Sequence, residues 1–194
     1  MKPSLLISMA NILPDELIKE ILTPALKVPD ILFSDTSPRS PFSTYSSSTS
    51  AYLTVAKGWL RVATPLLYHV VILRSKAQAQ ALETTLRRNP QLGTYIKKLR
   101  IEGGYGMAVC SIIKAAPNLT DLFLSLEIWS ADSISGLSRG LPKINPTRVI
   151  LQDPLHGGTT ALIDILFELV CECIKSSWKQ LVCSRLRHFV CTLY

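Results

Sequence analysis

Three short apolar segments, centred on Leu99, Leu122 and Val149, follow one another at spacings of 23 and 27 residues, and a helix-like stretch separates each from the next. A near-constant period of that size means one supersecondary unit used repeatedly, because a single unit cannot bury its apolar face alone. Parallel stacking of the strands would line one surface, with the helices behind. Residues 96–101 alternate, with Leu99 and Ile101 pointing one way, and Leu122, Leu124 and Leu126 share one face of residues 119–126. A third strand is predicted at 148–151. Residues 76–88 suit a helix, with Ala79, Leu82 and Leu86 on one face and Pro90 beyond its end. Residues 107–116 read as a second helix and 131–139 as a weaker third.

Both spacings fall within the roughly 20–29 residues of leucine-rich repeats. The irregularity leaves an ordinary α/β layer with parallel strands as the other reading. Residues 162–174 read as a buried helix, and 186–193 as a further strand. The chain stops at Tyr194 on apolar residues with no polar capping repeat, which reads as a truncated or degenerate version of a longer protein. The fold class expected is therefore α+β or α/β, with short parallel strands after residue 75.

Residues 1–74 have a different character. Leu13-Pro14 opens a helix in which Leu17, Ile18, Ile21 and Leu22 form an apolar stripe. Pro14 suits the first turn. Asp15 and Glu16 sit near the positive end of the helix dipole. Pro24 is expected to end or kink that helix. A second helical region begins at Ala51, and Gly58 and Pro65 divide it into two short helices; 70–73 is a brief strand or extended exit. Between these regions, 11 of the 17 residues from 34 to 50 are Ser or Thr, with Pro38 and Pro41 among them. Such a stretch cannot bury enough apolar area to offset its ordering entropy, so it reads as a flexible insert. Ser37-Pro38 and Ser40-Pro41 are candidate phosphorylation sites within it, or parts of a passive loop. Leu17, Ile18, Ile21, Leu22 and Trp59 are of the type that anchors a docking surface, or equally of the type that forms a helical core.

The net charge of +7 favours an acidic partner or is simply a solvated basic surface. Five cysteines, four of them in the last 24 positions, do not make a spread, even disulfide framework, so reduced thiols in the cytoplasm or nucleus are expected. No apolar run is long enough to span a bilayer. Chemistry-bearing motifs are weak. Gly136-Leu-Ser138-Arg-Gly140 matches the hydrolase elbow pattern but lacks the strand that must precede it. Cys171, Cys173, Cys183, His188 and Cys191 have no zinc-knuckle spacing. Gly103-Gly104-Tyr105-Gly106 lacks the dinucleotide fingerprint. Lys97, Lys98 and Arg100, with Arg87 and Arg88, form the densest basic cluster, with little aromatic interleaving. No enzyme activity, cofactor or metal is expected.

Leu13-Pro14-x-Glu16 followed by Ile18, Ile21 and Leu22 resembles the first helix of an F-box, and Val55-Ala-Lys57-Gly-Trp59 resembles that family's Val-Cys-Lys-x-Trp signature. Pro65-Leu-Leu-Tyr68-x-Val70-x-Ile72 is similar to the exit that follows. The chain as a whole resembles mushroom-type fungal F-box proteins with irregular leucine-rich repeats. The resemblance implies a helical module over 1–74, with the insert at 34–50 looped out, and a repeat-like region over 75–194. It implies binding to a Skp-family linker, and through it a cullin, while the repeats present a protein substrate to a ubiquitin ligase. Leu13, Pro14, Ile18, Ile21, Leu22, Val55 and Trp59 would form the linker interface or the core that shapes it. Ala56 stands where the family has Cys, and the insert is longer than usual. The alternative reading is a basic nucleic-acid-binding protein without catalytic activity.

Overall fold

The computed structural model describes residues 13–44, 49–128, 132–152 and 161–186. Five strands, β1 (Val70–Leu73), β2 (Lys98–Ile101), β3 (Asp121–Ser125), β4 (Arg148–Gln152) and β5 (Cys183–Leu186), form one parallel sheet in chain order. Parallel neighbours need crossovers of a dozen residues or more. Helices supply them: α4 (Lys76–Arg88), α5 (Met107–Ala115), α6 (Ser135–Gly140) and α7 (Ala161–Ser176). Ahead of the sheet lie α1 (Asp15–Leu26), the single turn α2 (Asp30–Phe33) and α3 (Lys57–His69). The mixed α/β class expected from the alternating pattern is the one that forms. Leu99, Leu122 and Val149 are direct register partners. Val71 pairs with Leu99 in the same register, so the sheet begins at β1, inside the stretch assigned to the N-terminal module.

Alternate strand positions face the helices. Leu73, Leu99, Ile101, Leu122, Leu124, Val149 and Leu151 pack there against Ala79, Leu86, Val109, Ile112, Ile113, Leu137, Leu166 and Val170. Each fully buried aliphatic side chain contributes about 1.5–3 kcal/mol, so this layer carries most of the hydrophobic stabilisation. Trp178 closes its far end, and its Nε1 donates to the Leu141 carbonyl at 3.1 Å.

Several local expectations are corrected. Pro24 and Pro65 lie inside α1 and α3 and stop neither. A threonine precedes each proline, and its hydroxyl donates to the carbonyl four residues back, Thr23 to Lys19 and Thr64 to Leu60, both at 2.6 Å. Lys57–His69 is thus one helix and not two, with a 3-10 turn (Thr49–Thr54) ahead of it. The helix α7 is half-buried, with Ile163, Leu166, Val170 and Cys173 inside and Ile165 outside. The last strand is Cys183–Leu186; residues 187–193 of the expected strand lie outside the described residues.

The largest correction concerns the Ser/Thr-rich insert. Its first part does not loop away from the sheet. Phe42 is buried, as is Phe33 just ahead of the insert, and residues 30–42 are bonded across the sheet face opposite the helices. The anchors are two aromatic rings and backbone carbonyls, which a count of serines does not register.

Candidate partner-docking surfaces

Two apolar stripes run along α1. Ile18, Leu22 and Leu26 repeat every four residues and are buried against Ala63, with Tyr52, Leu53, Trp59, Val62, Leu66 and Leu67 packed around them. One position earlier, Leu13, Leu17 and Ile21 repeat in the same way, but they are 38%, 46% and 53% exposed. On the α3 side, Val55 and Leu60 are 42% and 47% exposed. Isolated exposed leucines are ordinary; five large apolar side chains on one small helical pair are a concentration of the kind that marks an interaction site.

The partner-binding residues read from the sequence therefore separate. Ile18 and Leu22 lie in the core that shapes the helical pair: their face of α1 is the one that meets α3. Leu13, Pro14, Leu17, Ile21 and Val55 are exposed. Trp59 is half-buried, stacked on Tyr52 with centroids 6.4 Å apart, and its buried Nε1 has no hydrogen-bond partner. Leu60, in the same apolar run as Val55 and Trp59, joins the exposed set. Arg61 holds Asp15 through two bonds of 2.9 and 2.6 Å, which fixes α3 against the start of α1. Asp15 is correspondingly held below the ordinary carboxylate range.

The second surface is the sheet face opposite the helices, whose side chains form rows in register. Val70, Lys98, Asp121 and Arg148 make the first row, and Ile72, Arg100, Phe123 and Ile150 the second. Ser125 and Gln152 continue it, beside Glu102. The covering strap, residues 28–42, crosses these rows in order. Asp30 takes Arg148 Nη1 and Nη2 at 2.9 and 2.6 Å and Lys98 Nζ at 2.5 Å. Phe33 packs on Ile150 and edge-on to Phe123, with centroids 6.4 Å apart. Arg100 lies flat on Phe123, its Cζ 3.6 Å from the ring centroid, and its Nη1 donates to the carbonyls of Phe33 and Asp35, both at 2.8 Å. Arg100 Nε donates to Glu102 at 2.6 Å. Gln152 donates to the Ser37 carbonyl, and Ser40 Oγ to Glu102, both at 2.8 Å.

Asp30 sits well below the ordinary carboxylate range, first because Arg148 bonds it and then because Lys98 does. A depressed carboxylate stabilises fully above its unfolded value of about 4, and that contribution fades as acid protonates the folded form. Urea midpoints of the wild type are therefore expected to fall faster than those of Asp30→Asn between pH 5 and pH 2, so that the two proteins converge in acid. Parallel curves would show that Asp30 anchors nothing.

The remaining motifs resolve structurally. Gly136 and Gly140 lie where α6 packs against α5, and Ser138 Oγ donates to the Ile134 carbonyl. In the Gly-rich turn, Tyr105 has φ +50° and Gly106 φ +63°, so the chain turns there through left-handed backbone to start α5. Burial pushes the Cys173 thiol up to about 11, the behaviour of a small apolar side chain. Among the described residues no three His, Cys, Asp or Glu side chains are grouped to hold a metal ion, and no helix is long and apolar enough to cross a membrane. His156, His188 and Cys191 lie outside the described residues. Compared with known proteins, the chain matches no family model, no curated protein and no solved structure.

Proposed function

We propose that the protein is a non-catalytic adaptor: its N-terminal helical pair docks on a second polypeptide, and its sheet region holds another. The observation that carries this reading is the second apolar stripe of α1. Leu13, just ahead of α1, and Leu17 and Ile21 on it are left in solvent beside a complete core, with Leu60 on α3 and Val55 just ahead of that helix. Taken with the F-box resemblance, the partner is a Skp-family linker, and the chain is the substrate receptor of a Skp–cullin–F-box ubiquitin ligase. The repeat-like region supports that role as an irregular leucine-rich-repeat array. Its register partners Val71, Leu99, Leu122 and Val149 recur every 23–28 residues, although the last unit, from Val149 to Ser184, is longer at 35.

The nucleic-acid alternative draws on the basic strand cluster. Lys98 is paired with Asp30, Arg148 with Asp30 and Asp121, and Arg100 with Glu102 and two carbonyls. These cations are engaged within the chain and do not form an open track for phosphates.

The test is linker capture by purified protein. The double substitution Leu17→Asp with Ile21→Asp leaves Ile18 and Leu22 in place, so the fold should persist by circular dichroism. Two anchors worth about 2 kcal/mol each would weaken capture by a factor of about 100 or more. Unchanged capture, or none by folded wild type, would remove the linker from the proposal. Trp59→Ala is the poorer probe, since it also opens a cavity in the helical core.

A further inference from the structure

We propose that the sheet face built from Lys98, Arg100, Phe123, Arg148 and Ile150 is a recognition surface for a peptide with an acidic residue three places before an aromatic one, and that residues 28–42 occupy it in cis. The proposal does not rest on the linker reading, because the exposed stripe of α1 contributes no residue to this face.

The two faces of the sheet are built differently. Towards the helices, β2, β3 and β4 present only Leu, Ile and Val. Towards the strap the same strands present Lys98, Arg100, Asp121, Phe123, Ser125, Arg148, Ile150 and Gln152. A face meant only as core gains nothing from three cations. A face meant to read a chain does: Lys98 and Arg148 take one carboxylate, Phe123 and Ile150 take one ring, and Arg100 reads two carbonyls, Phe33 and Asp35. Positive charge meets an acidic side chain, and the aromatic anchor fills the centre, as at other peptide-binding surfaces.

The cis occupant also fits imperfectly. Arg100 is fully buried, and its Nη2 has no partner. A buried guanidinium donor left unpaired is costly, and a better-matched chain could offer it an acceptor. Between its two buried rings the strap is lightly held. Its only regular element is the four-residue turn α2, too short to be stable alone. Between Phe33 and Phe42 it carries no fully buried side chain. Ser40 Oγ bonds Glu102, which Arg74 and Arg100 already hold, so negative charge at Ser40 would face that carboxylate directly. Ser40-Pro41 thereby becomes a latch that a phosphate would open.

A short tether gives the strap an effective concentration on the order of millimolar, so a free peptide at micromolar concentration cannot displace it from the wild type. The probe is a labelled peptide with the sequence of residues 28–42, followed by fluorescence anisotropy on the full chain. Ser40→Glu should bind it at least tenfold more tightly than wild type, and a peptide with alanine at the positions of Asp30 and Phe33 should lose that binding. Hydrogen exchange on the unmodified protein is the independent arm: amides of 34–42 should exchange at least tenfold faster than those of β2, β3 and β4. Strap amides as protected as the sheet, or no peptide binding by folded Ser40→Glu, would make the strap ordinary core and overturn the proposal. Should Ser40→Glu fail to fold, the exchange result alone decides.

Discussion

Arg100→Ala is expected to lower the unfolding free energy by about 3–5 kcal/mol. The side chain is fully buried on β2, beneath the strap. It satisfies the carbonyls of Phe33 and Asp35, bonds Glu102 and covers the Phe123 ring. Truncation leaves two carbonyls without their donor, removes one of the two cations on Glu102 and opens a void beside Phe123. Arg100→Met separates these effects. It refills most of the volume, and Arg74 still holds Glu102 at 3.2 Å. Methionine leaves the Phe33 and Asp35 carbonyls and Glu102 without the guanidinium just as alanine does, so it should recover only the part of the loss that comes from the void. Urea unfolding at constant m-value reads both numbers. If alanine and methionine are equally damaging, the guanidinium's bonds dominate; if neither matters, the strap is not held through Arg100.

The sheet was legible in the sequence because its helix-facing positions are uniformly aliphatic. Leu99, Leu122 and Val149 could be aligned before any coordinates, and they are register partners. The opposite face was not legible. Lys98 and Arg100 alternate with Leu99 and Ile101, which in an isolated strand reads as solvent against core. What covers them is a segment roughly 60 to 70 residues away in the chain, and its anchors are two rings and a row of backbone carbonyls. No periodicity encodes such a contact. The helical pair was legible in part. The spacing of Leu13, Leu17, Ile18, Ile21 and Leu22 shows a wide apolar arc on α1, but only the position of α3 decides which half is core. Pro24 and Pro65 misled because proline usually ends a helix, whereas here each lies within the final five residues of one and follows a threonine that bonds back to the preceding turn.

Gly136→Ala is expected to cost about 3 kcal/mol or more, although helix propensity alone predicts a gain of up to about 1 kcal/mol from the same change. Geometry decides the sign. A Cβ on Gly136 would stand 1.9 Å from the Gly106 carbonyl oxygen and 2.8 Å from its carbon. Both are backbone atoms at the start of α5, so no rotamer change relieves the overlap and the two helices must separate. Gly140 is placed similarly but meets the Ile113 side chain at 2.9 Å, which can shift, so Gly140→Ala should cost less. Ser138 between them spends its hydroxyl on the Ile134 carbonyl at the surface of the same helix, and Ser138→Ala should stay within about 0.5 kcal/mol of wild type. The order Gly136, Gly140, Ser138 in thermal or urea unfolding is what a helix-packing seam requires. A nucleophile elbow makes its serine indispensable to activity, so any esterase activity abolished by Ser138→Ala would contradict the packing explanation of this Gly-x-Ser-x-Gly run.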